Sequence, residues 1–200
     1  MLEAGGDAWK SLDMVQVRGK ALPTEDLEEL VKLWTESLST SATRIVVNDR
    51  VDVALATGAD GVHVGPSDLP VAAIRELAPR GFLIGISTHD DAEVARAGKS
   101  GADYAGLGAF YASRTKPEAV LLDRERSGLA EAVREAAIPI LAIGGITAER
   151  VRDVCSRVPV SGIAVSHAIQ GAADPGAAIV GLRSELHRAW MDRQPREVER

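Results

Sequence analysis

Residues 44–68 read RIVVNDRVDVALATGADGVHVGPSD. Two short apolar runs, IVV at 45–47 and VHV at 62–64, flank a helix-length segment that Gly58 ends. Each run closes on polar groups: Asn48 and Asp49 after the first, Gly65 and Asp68 after the second. A strand–helix–strand unit this compact implies parallel neighbours, because only a crossover helix returns the chain to the same end of a sheet. Asn48, Asp49 and Asp68 then gather at the carboxyl ends of adjacent strands. In barrels and open α/β sheets alike, chemistry is done there.

The same alternation extends both ways. Upstream, MVQVR (14–18) has strand composition, and Pro23-Thr24-Glu25-Asp26 opens a helix that runs to about Ser39. Downstream, Pro70 stands at the first helical position before VAAIRELA. FLIGIST (82–88) is a strand, DDAEVARAGKS an acid-started helix, and DYAGLGAF a strand followed by a long loop over 110–123. A helix over 124–137, the strand PILAIGG, a helix capped by Thr147, the strand SGIAVSHAI and a helix from about Asp174 to Trp190 complete the series.

Seven strands alternating with helices fit only the parallel α/β architectures, and their short spacing favours a (β/α)8 TIM barrel over an open sheet. The barrel is expected to be one domain over 1–190, with a polar tail at 191–200. A barrel needs eight strands, yet residues 1–12 read as the end of a helix or a loop. The expectation is therefore a barrel lacking its first strand in this chain. MVQVR and SGIAVSH would then be edges with unpaired backbone groups, closed by a partner chain or by distortion.

Composition bounds the function. Two hundred residues with 46% apolar content suit one globular core. A net charge of −6 and the absence of a Lys/Arg run exclude a nucleic-acid surface. The single cysteine, Cys155, forms no internal disulfide and fits a reducing, cytoplasmic setting. No apolar run approaches the roughly 20 residues of a membrane helix. The N-terminus lacks the basic start and apolar run of a signal peptide. The partners expected are small molecules, and the composition allows a homo-oligomer.

The candidate site residues sit after the strands. Arg18 and Lys20 are two cations beside Gln16. Asp49 and Asp68 each suit an N-cap, but as a pair beside Arg and Lys they suit Mg²⁺ holding a diphosphate, since Mg²⁺ takes one or two carboxylates plus phosphate oxygens. Ser87, Thr88 and His89 follow the FLIGIST strand, and His89 reads as a packed or capping residue rather than a base. Ser113, Thr115 and Lys116 lie on the longest loop, and long loops above a barrel's carboxyl rim are commonly lids. Gly144-Gly145 lets backbone N–H groups approach an anion, and Ser166-His167-Ala168 lies next to it. Loops after strands 7 and 8 often build the phosphate site of such barrels.

The segments VQVRGK, NDRVDVALATGADGVHVGPSDLP, GISTHD, GADYAGLGAFYASRTK, AIGGIT and GIAVSHAI, in this order and spacing, resemble the thiamine-phosphate synthases over roughly residues 12–180. The central segment is shared with their relatives, the thiazole tautomerases. The resemblance implies condensation of 4-amino-5-hydroxymethyl-2-methylpyrimidine diphosphate with a thiazole phosphate, giving thiamine phosphate and diphosphate. By position it implies that Gln16, Arg18, Lys20 and Asn48 bind the pyrimidine diphosphate, with Ser87 on the diphosphate. Asp49 and Asp68 hold Mg²⁺, and Lys116 meets the leaving diphosphate with Arg18 and Lys20. Ser113, Thr115, Gly145, Ser166 and His167 are implied at the thiazole phosphate. Gly19 stands where the family commonly has an acid, and SRTK where it commonly has TxTK. Ala109 occupies the place of the tautomerases' histidine. The alternatives are a tautomerase or a catalytically inactive barrel that only binds a phosphorylated ligand.

Overall fold

The computed structural model describes residues 6–114, 117–123 and 128–193. Seven strands form one sheet in sequential order, each parallel to the next. They are β1 (Met14–Val17), β2 (Arg44–Asn48), β3 (Gly61–Val64), β4 (Leu83–Thr88), β5 (Tyr104–Leu107), β6 (Ile140–Ile143) and β7 (Gly162–Ala164). The connecting helices are α1 (Thr24–Ser37), α2 (Val51–Thr57), α3 (Val71–Leu77), α4 (Asp91–Ala97), α5 (Leu129–Glu135) and α6 (Ala148–Arg157). After β7 come a single turn, α7 (His167–Gln170), and the long α8 (Pro175–Met191). A 3-10 helix, Gly6–Ser11, precedes β1.

Two faces of the strands have different neighbours. Ile45, Val47, Val62, Val64, Ile84, Ala105, Leu107, Ile140 and Ala142 point outward and join the helices in one apolar cluster. Helix α1 contributes Leu27, Val31 and Trp34, spaced four and three apart so that they share a face. Because helices cover one side and neighbouring strands the other, β3 is buried at every residue, as parallel strands usually are. The inner face is narrower. A Cβ on Gly85 would lie 2.1 Å from the Tyr104 ring, so only glycine admits that ring.

Among the described residues, β1 and β7 each pair on one side only. The helical layer nevertheless continues between them. Helix α8 packs on α6 and on the 3-10 helix ahead of β1, and Arg183 of α8 donates to the Ser11 carbonyl. Trp9 of the 3-10 helix is buried edge-on against Trp34, with ring centroids 5.2 Å apart.

Several boundaries differ from the sequence expectations. Pro70 is the N-cap of α3, with an extended ψ of 143°, rather than its first helical residue. Thr147 occupies the N-cap position of α6, but its hydroxyl donates to Glu149 at 2.6 Å and caps nothing. Extended structure in SGIAVSHAI ends at Ala164; the Ser166 carbonyl collects the N–H groups of Ile169 and Gln170 and starts a helical turn instead. The helix expected over 124–137 is helical over Leu129–Glu135, and residues 124–127 lie outside the described residues. Of the tail, Arg193 is tied down: its guanidinium donates to the carbonyls of Cys155 and Val158 at the end of α6. Among the described residues no helix is long and apolar enough to cross a membrane.

Candidate active site

Acidic residues at the two ends of the sheet have different duties. Asp60 and Asp103 stand at the amino ends. Asp60 accepts the Ile45 N–H at 2.8 Å and pairs with Arg44, while Asp103 accepts the Ile84 N–H at 2.6 Å and pairs with Arg75. These carboxylates satisfy strand backbone and are spent on the fold. Asp49 and Asp68 stand at the carboxyl ends of β2 and β3.

Asp49 follows Asn48 directly and has φ 63°, the one positive φ at a non-glycine among the described residues. That region costs an L-residue free energy, though Asp tolerates it better than most. The Asp49 N–H donates to the His63 carbonyl at 2.8 Å, which anchors the turn to β3. Its carboxylate meets the Lys20 ammonium at 2.9 Å. Lys20 and Arg18 lie just beyond β1 and are exposed, as is Gln16, whose register partner on β2 is Val46. Asn48 pairs with His63 in register. Gln16, Arg18, Lys20, Asn48 and Asp49 thus share one rim over two adjacent strands.

Asp68 folds back on its own strand end and accepts the Gly65 N–H at 2.7 Å. It shares a cavity of about 300 Å³ with Ser87, between the ends of β3 and β4 and helices α3 and α4. The sequence reading missed what lies under Ser87. His63, buried on the inner face of β3, contacts the Ser87 hydroxyl through Nε2 at 3.1 Å and the Tyr104 hydroxyl through Nδ1 at 3.2 Å. Burial pushes the His63 imidazole down to about 4, with the Asp49 charge pulling the other way. Burial also raises the Tyr104 phenol. Both groups are neutral at pH 7, so Ser87 rests on an uncharged polar floor. A polar residue between the buried Val62 and Val64 was the available signal. His89 serves α4: Glu93 receives its backbone N–H at 2.7 Å and contacts its ring at 3.0 Å.

Across the sheet, Ile143 of β6 pairs with Ala164 of β7, so Gly145 and Ser166 each lie two residues past the same register pair. Gly144 and Gly145 have φ 101° and 58°, conformations that glycine adopts without penalty. Glycine at both positions lets the backbone approach a ligand closely. His167 is exposed at the start of α7, and the Ser166 hydroxyl lies 3.4 Å from Gln170 Oε1. Half-buried Ser113 lies on the loop after β5, while Thr115 and Lys116 lie outside the described residues. Ile143, at the carboxyl end of β6 just before the glycine pair, is 40% exposed, an apolar side chain on this rim that the sequence reading did not single out.

Carboxylates are the donors that Mg²⁺ takes, one or two at a time, with phosphate oxygens and water completing its shell. Among the described residues no three His, Cys, Asp or Glu side chains cluster as a protein-only cage. Asp49 and Asp68 stand at the ends of consecutive strands, and Asp49 faces the Lys20 ammonium.

A family model described as thiamine monophosphate synthase matches residues 7–169. The thiamine-phosphate synthase of Methanoculleus marisnigri is 41% identical over 191 residues, covering 94% of this chain and 86% of the relative. That of Pyrococcus horikoshii is 40% identical over 169 residues, covering 84% and 80%. The solved thiamine phosphate pyrophosphorylase of Pyrococcus furiosus superposes with a TM-score of 0.82 at 35% identity, covering 94% of this chain and 90% of that one. A 3-hexulose-6-phosphate synthase superposes at 0.68 and 19% identity over 92% of each chain, a likeness of fold alone. With cations and carboxylates at the carboxyl ends of β1 to β3, a glycine pair at that of β6, and these likenesses along nearly its whole length, the chain belongs to the thiamine-phosphate synthase family.

Proposed function

We propose that the site described above carries out the family's transfer with Mg²⁺ and with the following division of labour. The chain is a transferase of thiamine biosynthesis: it joins 4-amino-5-hydroxymethyl-2-methylpyrimidine diphosphate to a thiazole phosphate and releases diphosphate. The bond from the pyrimidine methylene carbon to the diphosphate oxygen breaks, and its electron pair leaves with diphosphate. The thiazole nitrogen supplies the pair for the new C–N bond. No proton must be removed from that nitrogen, so a site without a strong general base is chemically sufficient.

Arg18, Lys20 and Lys116 meet the negative charge that grows on the leaving group, where preorganised cations act most strongly. Gln16 and Asn48 orient the pyrimidine diphosphate, and Ser87 donates to a diphosphate oxygen. Asp49 and Asp68 would hold Mg²⁺, whose charge when bound offsets that of the diphosphate. Gly145 with the backbone at Ser166 and His167 seats the thiazole phosphate, and Ser113 and Thr115 contact it from the loop. The Lys20–Asp49 ion pair at the carboxyl ends of β1 and β2 carries this reading, because it sets a cation and a carboxylate where a diphosphate and its metal would be held.

The sheet is further read as seven strands of a (β/α)8 barrel, with the eighth position between β1 and β7. The packing of α8 on the 3-10 helix supports it, since the outer layer is continuous across that gap. Diphosphate release tests the function. Release with Mg²⁺ and both substrates, and none with either alone, is the expected result. A tautomerase or a binding-only barrel would release none under any of these conditions.

A further inference from the structure

Asp49 reaches the rim through a strained turn. The Arg50 N–H donates to the Asn48 carbonyl at 2.7 Å, so Asp49, at φ 63°, is the middle of a three-residue turn of the rare, strained kind. The Val51 N–H closes a second three-residue turn on the Asp49 carbonyl at 3.2 Å, centred on Arg50 at φ −87° and ψ 84°. These two opposed turns carry the chain from β2 into α2, and strained backbone persists only where its surroundings hold it. The half-buried Arg50 side chain supplies a hold. Its Nε donates to Asp52 Oδ1 at 2.8 Å and its Nη2 to Asp52 Oδ2 at 2.6 Å, a bidentate pair on the first turn of α2. Nη2 also donates to the Thr24 hydroxyl at 3.1 Å, on the first residue of α1. Thr24 follows the segment that carries Arg18 and Lys20, so one guanidinium spans both sides of the Lys20–Asp49 pair.

We propose that Arg50 is a positioning residue for the transfer: it fixes the turn that presents Asp49, and Asp49 in turn holds Lys20. The inference rests on the functional reading above, which puts Asp49 and Lys20 at the diphosphate. The peptide between Asp49 and Arg50 belongs to both turns. Relaxing Asp49 therefore rotates the Arg50 backbone and pulls its guanidinium against partners on two helices. With 38% and 65% of their side chains exposed, Arg50 and Asp52 form a pair of small worth to global stability. Its value is geometric. The planar fork reaches a carboxylate through two parallel bonds and a hydroxyl through a third, a pattern that a lysine cannot reproduce.

Calorimetry with inorganic diphosphate and Mg²⁺ reads one side of the site, and calorimetry with thiazole phosphate reads the other. Arg50→Ala should weaken diphosphate about tenfold and lower kcat about tenfold or more, with thiazole phosphate affinity held within about twofold and Tm nearly unchanged. Arg50→Lys keeps the charge and loses the fork, so it should lose nearly as much. Thr24→Val keeps the shape and removes one acceptor. It should weaken diphosphate about threefold, and it serves if Arg50→Ala fails to fold. Because Arg50 acts through Asp49, adding Arg50→Ala to Asp49→Ala should cost about twofold or less further. Full rescue by Arg50→Lys, or additive losses in the double variant, would mean that Arg50 meets the diphosphate as a charge, and overturns the positioning role. Unchanged diphosphate affinity in Arg50→Ala, or an equal loss at thiazole phosphate, overturns it as well. Failure of the unaltered protein to release diphosphate overturns the functional reading instead, while calorimetry with inorganic diphosphate still reads the effect of Arg50.

Discussion

Acid should drain the stability of this fold through one residue, His63. Its imidazole is buried among the Tyr104 and Ser87 hydroxyls, and burial holds it at about 4 against an ordinary 6.5. The folded chain thus refuses a proton that the unfolded chain accepts. Where the unfolded state binds more protons, stability falls as the pH falls. The His63 contribution is fully present above pH 6.5, drains as pH falls from there toward 4, and changes no further below that. At about 1.4 kcal/mol per pH unit, the depression amounts to about 3 kcal/mol. That is a large share of the roughly 5–15 kcal/mol that holds a typical domain together. Asp52 and Glu149 are held below the usual carboxylate range by hydrogen bonds from Arg50 and Thr147, so they act only at the acid end of this window.

Urea unfolding at intervals from pH 7.5 to 4, without added Mg²⁺, measures the loss. His63→Gln keeps a hydrogen-bonding side chain and removes the titration. The unaltered protein should lose about 3 kcal/mol more than the variant across the window. The slope with pH carries the test, so a variant less stable throughout still reads it. Curves that run parallel to within about 0.5 kcal/mol would refute the reasoning.

Asp49→Ala or Asp68→Ala should each cost about a hundredfold or more in turnover, the scale of losing one strong charge-stabilising group. Undiminished activity of Asp49→Ala in EDTA would remove the metal proposal. Lys116→Ala should lower kcat more than it weakens thiazole phosphate binding, because the charge it meets grows as the bond breaks; an effect on thiazole affinity alone would assign Lys116 to the other substrate. Gly144→Ala places a Cβ 2.6 Å from that of Ala109 at φ 101°. It should abolish thiazole phosphate binding and lower stability by about 1–3 kcal/mol, checked by calorimetry and thermal melts.

Most of the sheet was legible because strand and helix periods differ and glycine punctuates them. IVV and VHV announced β2 and β3, and Gly58 closes α2 in the left-handed conformation where the reading put its end. Local detail departed from the expectation where a side chain chose between two local partners. Thr147 had the right place for a cap, yet Glu149 two residues on offered its hydroxyl a charged acceptor. SGIAVSHAI has the residues of a long strand, but Ser166 turns the chain into α7. Neither competition is visible in composition, because the losing and winning partners are both close in sequence.

The rim of the site was legible and its floor was not. Residues after a strand are marked by the strand itself, so Lys20, Asn48, Asp49 and Asp68 could be gathered before any coordinates. The grouping of His63, Tyr104 and Ser87 depends on which strands are neighbours and on the missing side chain at Gly85, facts that belong to the sheet as a whole. The two levels meet at Asp49. Its positive φ costs of order 1 kcal/mol or more and persists only where the surroundings dictate it. Here they do: the N–H is fixed on the His63 carbonyl, while the carboxylate faces Lys20 on the rim. Relaxing that φ would swing the carboxylate away from the cations or break the bond to β3. An Asp at that position is a poor choice for stability alone, and a sound one where a carboxylate must face the cations of the rim.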